Sequence, residues 1–151
     1  VIEKFTDENG KESEVKYFTF ETSHFSVYAL AEKAKVAAYE KAQKIKKTIA
    51  GVKKTSVKLT TKSLKNKIKV SWSKSKGYKV DAYEVYRAAS KNGKYSKLYT
   101  TKKSNAKGYT NSKKLNRGKT YFYKVRGVRT IDGKAYYTKW SNVAKEKLGK
   151  L

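Results

Sequence analysis

The sequence predicts an all-β fold after residue 51, an antiparallel sandwich, with one α-helix and a β-hairpin before it. From Val52 onward, seven short runs alternate apolar with polar residues at intervals of about 8–12 residues, which is typical of antiparallel sandwiches and barrels. Residues 31–51 are rich in Ala, Lys and Glu, which favour a helix. Asn9-Gly10 lies between two alternating runs and indicates a hairpin turn.

Residues 1–30 contain the two strands of this hairpin and a third candidate strand. VIEKFT and EVKYFTFET alternate as half-buried strands do, and HFSVYAL, which starts at His24, predicts a further strand. Two or three strands alone do not make a stable domain. We therefore expect this segment to be the C-terminal strands of a preceding β module, and the chain to be a piece of a longer protein.

Residues 31–51 predict a linker helix of about five turns, a semi-rigid spacer. Its mildly apolar stripe consists of residues at three- or four-residue spacing: Ala34, Ala38, Ala42, Ile45 and Ile49. The last turns are cationic, and Gly51 is in the position expected of the residue that ends the helix. A membrane-surface helix is disfavoured because this stripe is mostly Ala, without Trp or Phe.

The region 52–151 is predicted to form the sandwich. Its strand candidates are SVKLT, KIKVSWS, AYEVYRA, KYSKLYTT, GYTN, KTYFYKVRGVR and KAYYTKWSNVAKEKL. In the second run, Ile68, Val70 and Trp72 fall on one face and hydrophilic residues on the other. Asn92-Gly93 and Asp132-Gly133 indicate hairpin turns between neighbouring runs.

The net charge of +26 is unevenly distributed along the chain. Residues 1–40 carry five basic and eight acidic residues, a net charge of −3, whereas the remainder carries 33 basic and four acidic residues, a net charge of +29. Such a surface attracts polyanions, and salt screens that attraction. Candidate partners are nucleic acid, teichoic-acid-type wall polymers, anionic glycans and anionic lipid; the alternative is a lysine coat that serves solubility.

The composition excludes several kinds of chemistry. The chain has no Cys, which rules out disulfides, a thiol nucleophile and a Cys-ligated metal. No apolar run approaches the length of a membrane span. His24 is the only His, and it has no partner for a metal site. Asp81 and Glu84 are three residues apart at the head of a strand, which points them to opposite faces and disfavours paired acid–base catalysis. We therefore expect no enzyme activity, no catalytic residue, no cofactor and no metal.

The stretch LNRGKTYFYKV, residues 115–125, combines Gly and aromatic residues with basic ones and could suggest RNA recognition. Aligned on Arg117-Gly118, however, the RNP1 pattern fails at three key places, which hold Lys119, Thr120 and Lys124. That fold also needs two helices behind its sheet, and nothing after Gly51 predicts a helix. Nucleic acid is therefore disfavoured as a specific partner.

The spacing of Leu115, Gly118 and Tyr121 resembles the tyrosine corner of the fibronectin type III domain, ahead of its strand F. A Tyr at that place can bond a backbone group upstream through its hydroxyl. Further residues resemble inward-facing or strand-opening positions of that domain: Trp72 in strand B, Tyr83 and Val85 in strand C, Tyr123 and Val125 in strand F, and Ser141 in strand G. The resemblance covers about residues 52–148. Type III domains usually carry several Pro and this chain has none, which leaves protection of the sheet edges to Lys.

GYKVDAYEVYR and YYTKWSN look like the Lys- and Tyr-rich type III modules of surface and secreted proteins of Gram-positive gut bacteria. HFSVYALAEK similarly looks like the closing strand of a preceding module. The resemblance implies an extracellular location and a spacer or adhesion role, with upstream domains of the same protein as partners and no single ligand. An anionic wall polymer or glycan is an additional candidate partner. The alternatives are an accessory domain of a secreted hydrolase and a dedicated polyanion or nucleic-acid binder.

One group of residues suggests a binding surface. Phe122, Lys124 and Arg126 are expected to face outward on the long strand, and Trp140 lies across the Asp132-Gly133 turn, near Lys124 or Arg126. A basic side chain stacked on Trp140 would form a cation–π pair, worth about 0.5–1 kcal/mol when exposed. Such a group either stiffens the hairpin or offers a platform for a glycan ring or a polyanion.

Overall fold

Ten strands and one helix make up the regular structure of the residues that the computed structural model describes. The backbone is described over residues 2–6, 10, 12–16, 24–74 and 77–149, and the side chains over residues 10, 30–74 and 77–149. The chain divides into two units, Val1–Ala42 and Gln43–Leu151.

The first unit contains two strands and most of the helix. β1 (Ile2–Thr6) pairs antiparallel with β2 (Glu12–Lys16), and Ile2 lies opposite Lys16. Gly10 lies between the strands with φ of 76°, a conformation that glycine adopts without strain. The antiparallel pairing predicted around Asn9-Gly10 is therefore present.

α1 (His24–Lys54) begins earlier and ends later than predicted. The prediction of a third strand over HFSVYAL is wrong, because these residues form the start of the helix. No Gly, Pro or turn sequence separates them from the Ala-rich run, so the helix can extend backward at little cost once it is nucleated. The assignment of residues 1–30 to a preceding module stays a prediction.

Gly51 does not end the helix, contrary to expectation. It lies within α1, and a Cβ there would overlap the ring of Tyr78, so the glycine allows close packing rather than a chain reversal. The helix ends at Lys54, and the hydroxyl of the next residue, Thr55, donates to the Gly51 carbonyl over 2.9 Å. Val52 is fully buried, which anchors the last turn of the helix in the second unit.

The second unit is built from antiparallel strands in two sheets. The strands are β3 (Val57–Leu64), β4 (Lys67–Lys74), β5 (Ala82–Ala88), β6 (Ser96–Thr100), β7 (Gly108–Asn111), β8 (Thr120–Ile131), β9 (Lys134–Tyr137) and β10 (Ala144–Lys147). One sheet has the order β3-β4-β7 and the other β10-β8-β5-β6, with β9 also paired to β8. All seven predicted runs form strands, and the last one divides into β9 and β10.

A single hydrophobic core joins the two sheets, and alternation along each strand supplies it. β8 shows the pattern most clearly, because Tyr121, Tyr123 and Val125 are buried while the residues between them are partly exposed. From β4, Trp72 packs against Tyr83 of β5 with 5.4 Å between ring centroids. The other buried members of this cluster are Val57, Leu59, Ile68, Val70, Val80, Val85 and Leu148.

The two sheets are also joined by polar bonds along one edge. The side-chain amide of Asn142 accepts from the Leu59 N–H at 2.8 Å and donates to the Leu59 carbonyl at 2.9 Å. The hydroxyl of Thr61 donates to the carbonyl of Lys145 over 3.2 Å. These bonds connect β3, at the edge of its sheet, with β10 and with the segment that leads into it.

Candidate functional site

The candidate surface lies on the outer face of the five-stranded sheet. Pairing of β5 with β8 places Tyr86 opposite Lys124 and Glu84 opposite Arg126. Because the neighbours of Lys124 and Arg126 along β8 are buried, these two side chains leave the sheet on its outer side.

A β-bulge brings Trp140 to this face. The Gly127 carbonyl accepts from the Thr138 N–H, and the Gly127 N–H donates to the Thr138 hydroxyl at 2.9 Å. In the same way, the Val125 carbonyl accepts from the Ser141 N–H, and the Val125 N–H donates to the Ser141 hydroxyl at 2.9 Å. Between these two anchor points, Arg126 alone faces two residues, Lys139 and Trp140. The extra residue is what defines a bulge, and bulges commonly redirect a side chain.

The basic side chains of β8 stack on aromatic rings. The Nζ of Lys124 lies 4.1 Å from the ring centroid of Trp140 and 4.4 Å from that of Tyr95. The Cζ of Arg126 lies 3.6 Å from the Tyr137 centroid and 4.6 Å from the Trp140 centroid. The predicted contact between Trp140 and a basic residue is thus present, and both basic residues make it. We call Tyr86, Tyr95, Lys124, Arg126, Tyr137 and Trp140 the ring cluster.

Glu84 lies beneath the ring cluster with only 8% of its side chain exposed. Its carboxylate accepts from Arg126 Nε at 2.8 Å, from Lys97 Nζ at 3.1 Å and from the Tyr86 hydroxyl at 3.1 Å. Burial of Glu84 tends to raise its pKa, but the hydrogen bonds from Arg126, Lys97 and Tyr86 and the charge of Arg126 outweigh burial and hold the pKa below its ordinary value. The same bond to Glu84 raises the pKa of Lys97.

These contacts leave little of the ring cluster free for a ligand. The charge of Arg126 is paired with the buried carboxylate of Glu84. The side chains of Lys124 and Arg126 both contact the ring of Trp140, which is 39% exposed. The edge of that ring also meets Tyr86 at 5.0 Å in a T-shaped contact. A glycan ring that stacked on the part of the Trp140 ring next to Lys124 or Arg126 would have to displace that side chain.

Phe122, the fourth residue predicted for this surface, lies apart from the ring cluster. It is opposite Ala88 on one side and Lys145 on the other. It lines a separate groove of about 440 Å³ with Lys91, Val143 and Lys145. The structure therefore brings three of the four predicted surface residues together.

The turn before β8 has the contacts expected of a tyrosine corner. The N–H of Asn116 donates to the Tyr121 hydroxyl over 2.7 Å. Gly118 adopts a φ of 75° and its N–H donates to the Leu148 carbonyl over 2.8 Å, so the turn is tied to the end of the chain. Leu115 packs against the core.

Sequence reasoning missed several contributors to this surface. Glu84 and Tyr86 could have been found, because the inward positions of Tyr83 and Val85 force their neighbours outward. The contribution of Tyr95 could not be predicted from strand alternation, because this residue lies in the loop before β6.

Among the described side chains, no three His, Cys, Asp or Glu lie close enough together to hold a metal ion. The side chain of His24 lies outside the described residues. No helix of the described chain has the length and hydropathy needed to cross a membrane.

No protein-family model matches the chain, and no curated protein is significantly similar to it in sequence. Solved structures are similar in fold. A protein described as "Myokine structure" is 15% identical, with a TM-score of 0.51 over 65% of this chain and 98% of its own. An Fn3-like protein from Clostridium thermocellum is 22% identical, with a TM-score of 0.48 over 67% of this chain and 97% of its own.

Pectate lyase PelI from Erwinia chrysanthemi is 20% identical, with a TM-score of 0.48 over 60% of this chain. The matched region spans only 27% of that lyase. At such identities, the similarity to solved structures concerns the fold alone.

Proposed function

We propose that residues 52–151 form a fibronectin type III sandwich that acts as a non-enzymatic spacer or adhesion module of an extracellular bacterial surface protein. Two antiparallel sheets around one core support the sandwich assignment. The tyrosine corner at Tyr121 and the inward positions of Trp72, Tyr83 and Val85 support the type III assignment. The Lys- and Tyr-rich segments quoted above support the bacterial surface context.

The observation that carries the spacer role is that the charged groups of the ring cluster already have partners within the protein. Its two cations contact its own rings, and one of them binds buried Glu84. Such contacts stiffen the β8–β9 region rather than leave a platform open. The linker role of α1 fits this function, because its 31 residues correspond to roughly 46 Å at 1.5 Å per residue.

Replacement of Trp140 by Ala tests this role. We expect a loss of about 1–3 kcal/mol of unfolding free energy, since two cation–π contacts and one edge-to-face contact are removed. Retention on heparin, teichoic acid and neutral-glycan resins across a salt series should not change. Val143→Ala is the matched control, because Val143 is also 39% exposed, and its cost should stay within about 0.5 kcal/mol.

The opposite result would replace the spacer role by a binding role. If Trp140→Ala abolished a salt-resistant retention on one resin and left the unfolding curve unchanged, the ring cluster would be a ligand platform.

A further inference from the structure

The outer face of the three-stranded sheet carries positive charge that no acidic residue of its own strands compensates. Strands β3, β4 and β7 contain five Lys and no Asp or Glu. Alternation directs four of these lysines outward, away from the buried side of the sheet: Lys58, Lys62, Lys67 and Lys69. Hydroxyl side chains lie between them on the same face: Thr60, Ser71, Ser73 and Thr110. We call these eight residues the lysine face.

The lysines are held close to one another. Lys62 lies directly opposite Lys69, at a position where Cβ atoms of an antiparallel pair are about 4.5–5.5 Å apart and where like charges are destabilising. Lys67 lies two residues before Lys69 on the same face, which corresponds to about 7 Å along the strand. The fold thus concentrates positive charge on this sheet at some cost in stability.

None of the four lysines has a side-chain hydrogen bond or ion pair with any other described residue. The fifth lysine of these strands behaves differently, since Lys74 donates to the carbonyls of Gly77 and Tyr78 at 3.2 Å. On the other sheet, Arg126 is paired with Glu84 and Arg129 with Asp81. Charge on the five-stranded sheet is therefore partly neutralised, whereas charge on the lysine face is available to a partner.

We propose that the lysine face binds a linear anionic polysaccharide. The ammonium groups pair with its carboxylate, sulfate or phosphate groups, and the Ser and Thr hydroxyls bond its sugar oxygens. The face is an open surface of lysine and hydroxyl side chains that also includes Leu64, which is 40% exposed and lies opposite Lys67, and such a surface suits an extended polymer rather than a small ligand. It carries no aromatic ring on which unpaired bases would stack, which disfavours single-stranded nucleic acid. This inference rests on the proposed function, which it deepens by naming the contact surface and the partner.

The test compares two fourfold variants of the full chain. One carries Lys58→Gln, Lys62→Gln, Lys67→Gln and Lys69→Gln. The matched control replaces four exposed loop lysines without side-chain contacts to described residues: Lys94→Gln, Lys102→Gln, Lys103→Gln and Lys113→Gln. Both variants lower the formal charge by four, from +26 to +22, so only the position of the lost charges differs.

Affinity for heparin, for a 20-base-pair DNA duplex and for neutral dextran is measured by titration calorimetry at several salt concentrations. We expect the lysine-face variant to bind heparin at least about tenfold more weakly than wild type at 0.1 M salt. The slope of log K against log salt should become shallower by about three to four, because four phosphate- or sulfate-pairing lysines are lost. The loop control should lose less than about threefold. Urea unfolding of both variants verifies that they are folded, and the lysine-face variant should be at least as stable as wild type.

Equal losses in the two variants would overturn the proposal, because net charge alone would then explain binding. Absence of heparin binding by wild type would also overturn it and would leave the spacer role intact. Stronger, face-dependent binding of the duplex would replace the polysaccharide by nucleic acid. Loss of heparin binding in Trp140→Ala, but not in the lysine-face variant, would instead contradict the proposed function.

Discussion

The substitution Glu84→Gln removes the negative charge that lies beneath the ring cluster. It preserves the size of a side chain that is 8% exposed and removes the charge that three donors share. Hydrogen bonds to charged groups contribute about 1.5–3 kcal/mol each, and loss of one partner of a buried pair costs more than the pair contributes. The amide oxygen still accepts one bond, so we expect a net loss of about 2–3 kcal/mol at pH 7.

The loss should depend on pH in a defined direction. The pKa of Glu84 is lowered in the folded protein relative to its ordinary value of 4.5. A group with a lowered folded pKa stabilises the protein fully above its unfolded pKa, and this contribution disappears as the pH falls through the folded value. The difference between wild type and Glu84→Gln should therefore be largest above about pH 5.5 and should shrink steadily below pH 4.

Urea unfolding followed by far-UV circular dichroism between pH 3 and pH 7 measures this difference without the screening that guanidinium would add. In thermal unfolding at pH 7, the midpoint should fall by about 8–20 °C. The control is Asp81→Asn, since Asp81 is 47% exposed and pairs with Arg129 at 3.2 Å. The Asn oxygen can still accept the 2.7 Å bond from the Thr130 N–H, so the substitution should cost less than about 1 kcal/mol. A Glu84→Gln difference that is the same at pH 3 and pH 7, or below 0.5 kcal/mol at pH 7, would refute this reasoning.

Two further substitutions test the contacts that fix the sheets. Tyr121→Phe should cost about 1–3 kcal/mol, because the N–H of Asn116 loses its acceptor; an unchanged urea midpoint would show that water replaces the hydroxyl. Asn142→Ala should cost a similar amount, because both backbone groups of Leu59 lose their partner, and hydrogen exchange at the Leu59 amide should accelerate. An unprotected Leu59 amide in the wild type would contradict this second prediction.

The strands of the second unit were predictable because their sequence pattern is local. Alternation along KIKVSWS and KTYFYKVRGVR correctly placed Trp72, Tyr123 and Val125 inside. Asp132-Gly133 was identifiable as a turn because this dipeptide tolerates the positive φ that tight hairpin turns require. In the structure the two residues have φ of 47° and 75°.

The helix boundaries were not predictable from the same kind of pattern. The seven residues 24–30 are compatible with a strand or a helix, and the adjoining Ala-rich run favours the helix. Gly51 lies within the helix, where its lack of a side chain leaves room for the ring of Tyr78, a residue that is distant in sequence.

The composition of the ring cluster also depended on contacts that no local pattern encodes. Trp140 reaches Lys124 and Arg126 through a bulge, and the bulge is held by the hydroxyls of Thr138 and Ser141. The sequence pointed to a contact between Trp140 and one basic residue, but not to the carboxylate of Glu84 below it. Pairing of β5 with β8 was needed to find that carboxylate.

Protection of sheet edges explains only part of the lysine face. A chain without Pro needs charged side chains on its edge strands, and β3 is such a strand, so Lys58 and Lys62 are accounted for in this way. Lys69 lies on β4, the central strand, between Lys62 of β3 and Thr110 of β7, whereas Lys67 is at the end of β4 that β7 does not reach. Backbone groups of β4 at Lys69 are therefore in a paired region. Edge protection does not require charge there, and placement of Lys69 opposite Lys62 opposes folding. An anionic partner would turn this repulsion into a favourable contact, which makes Lys69 the strongest structural argument for a binding role of this sheet.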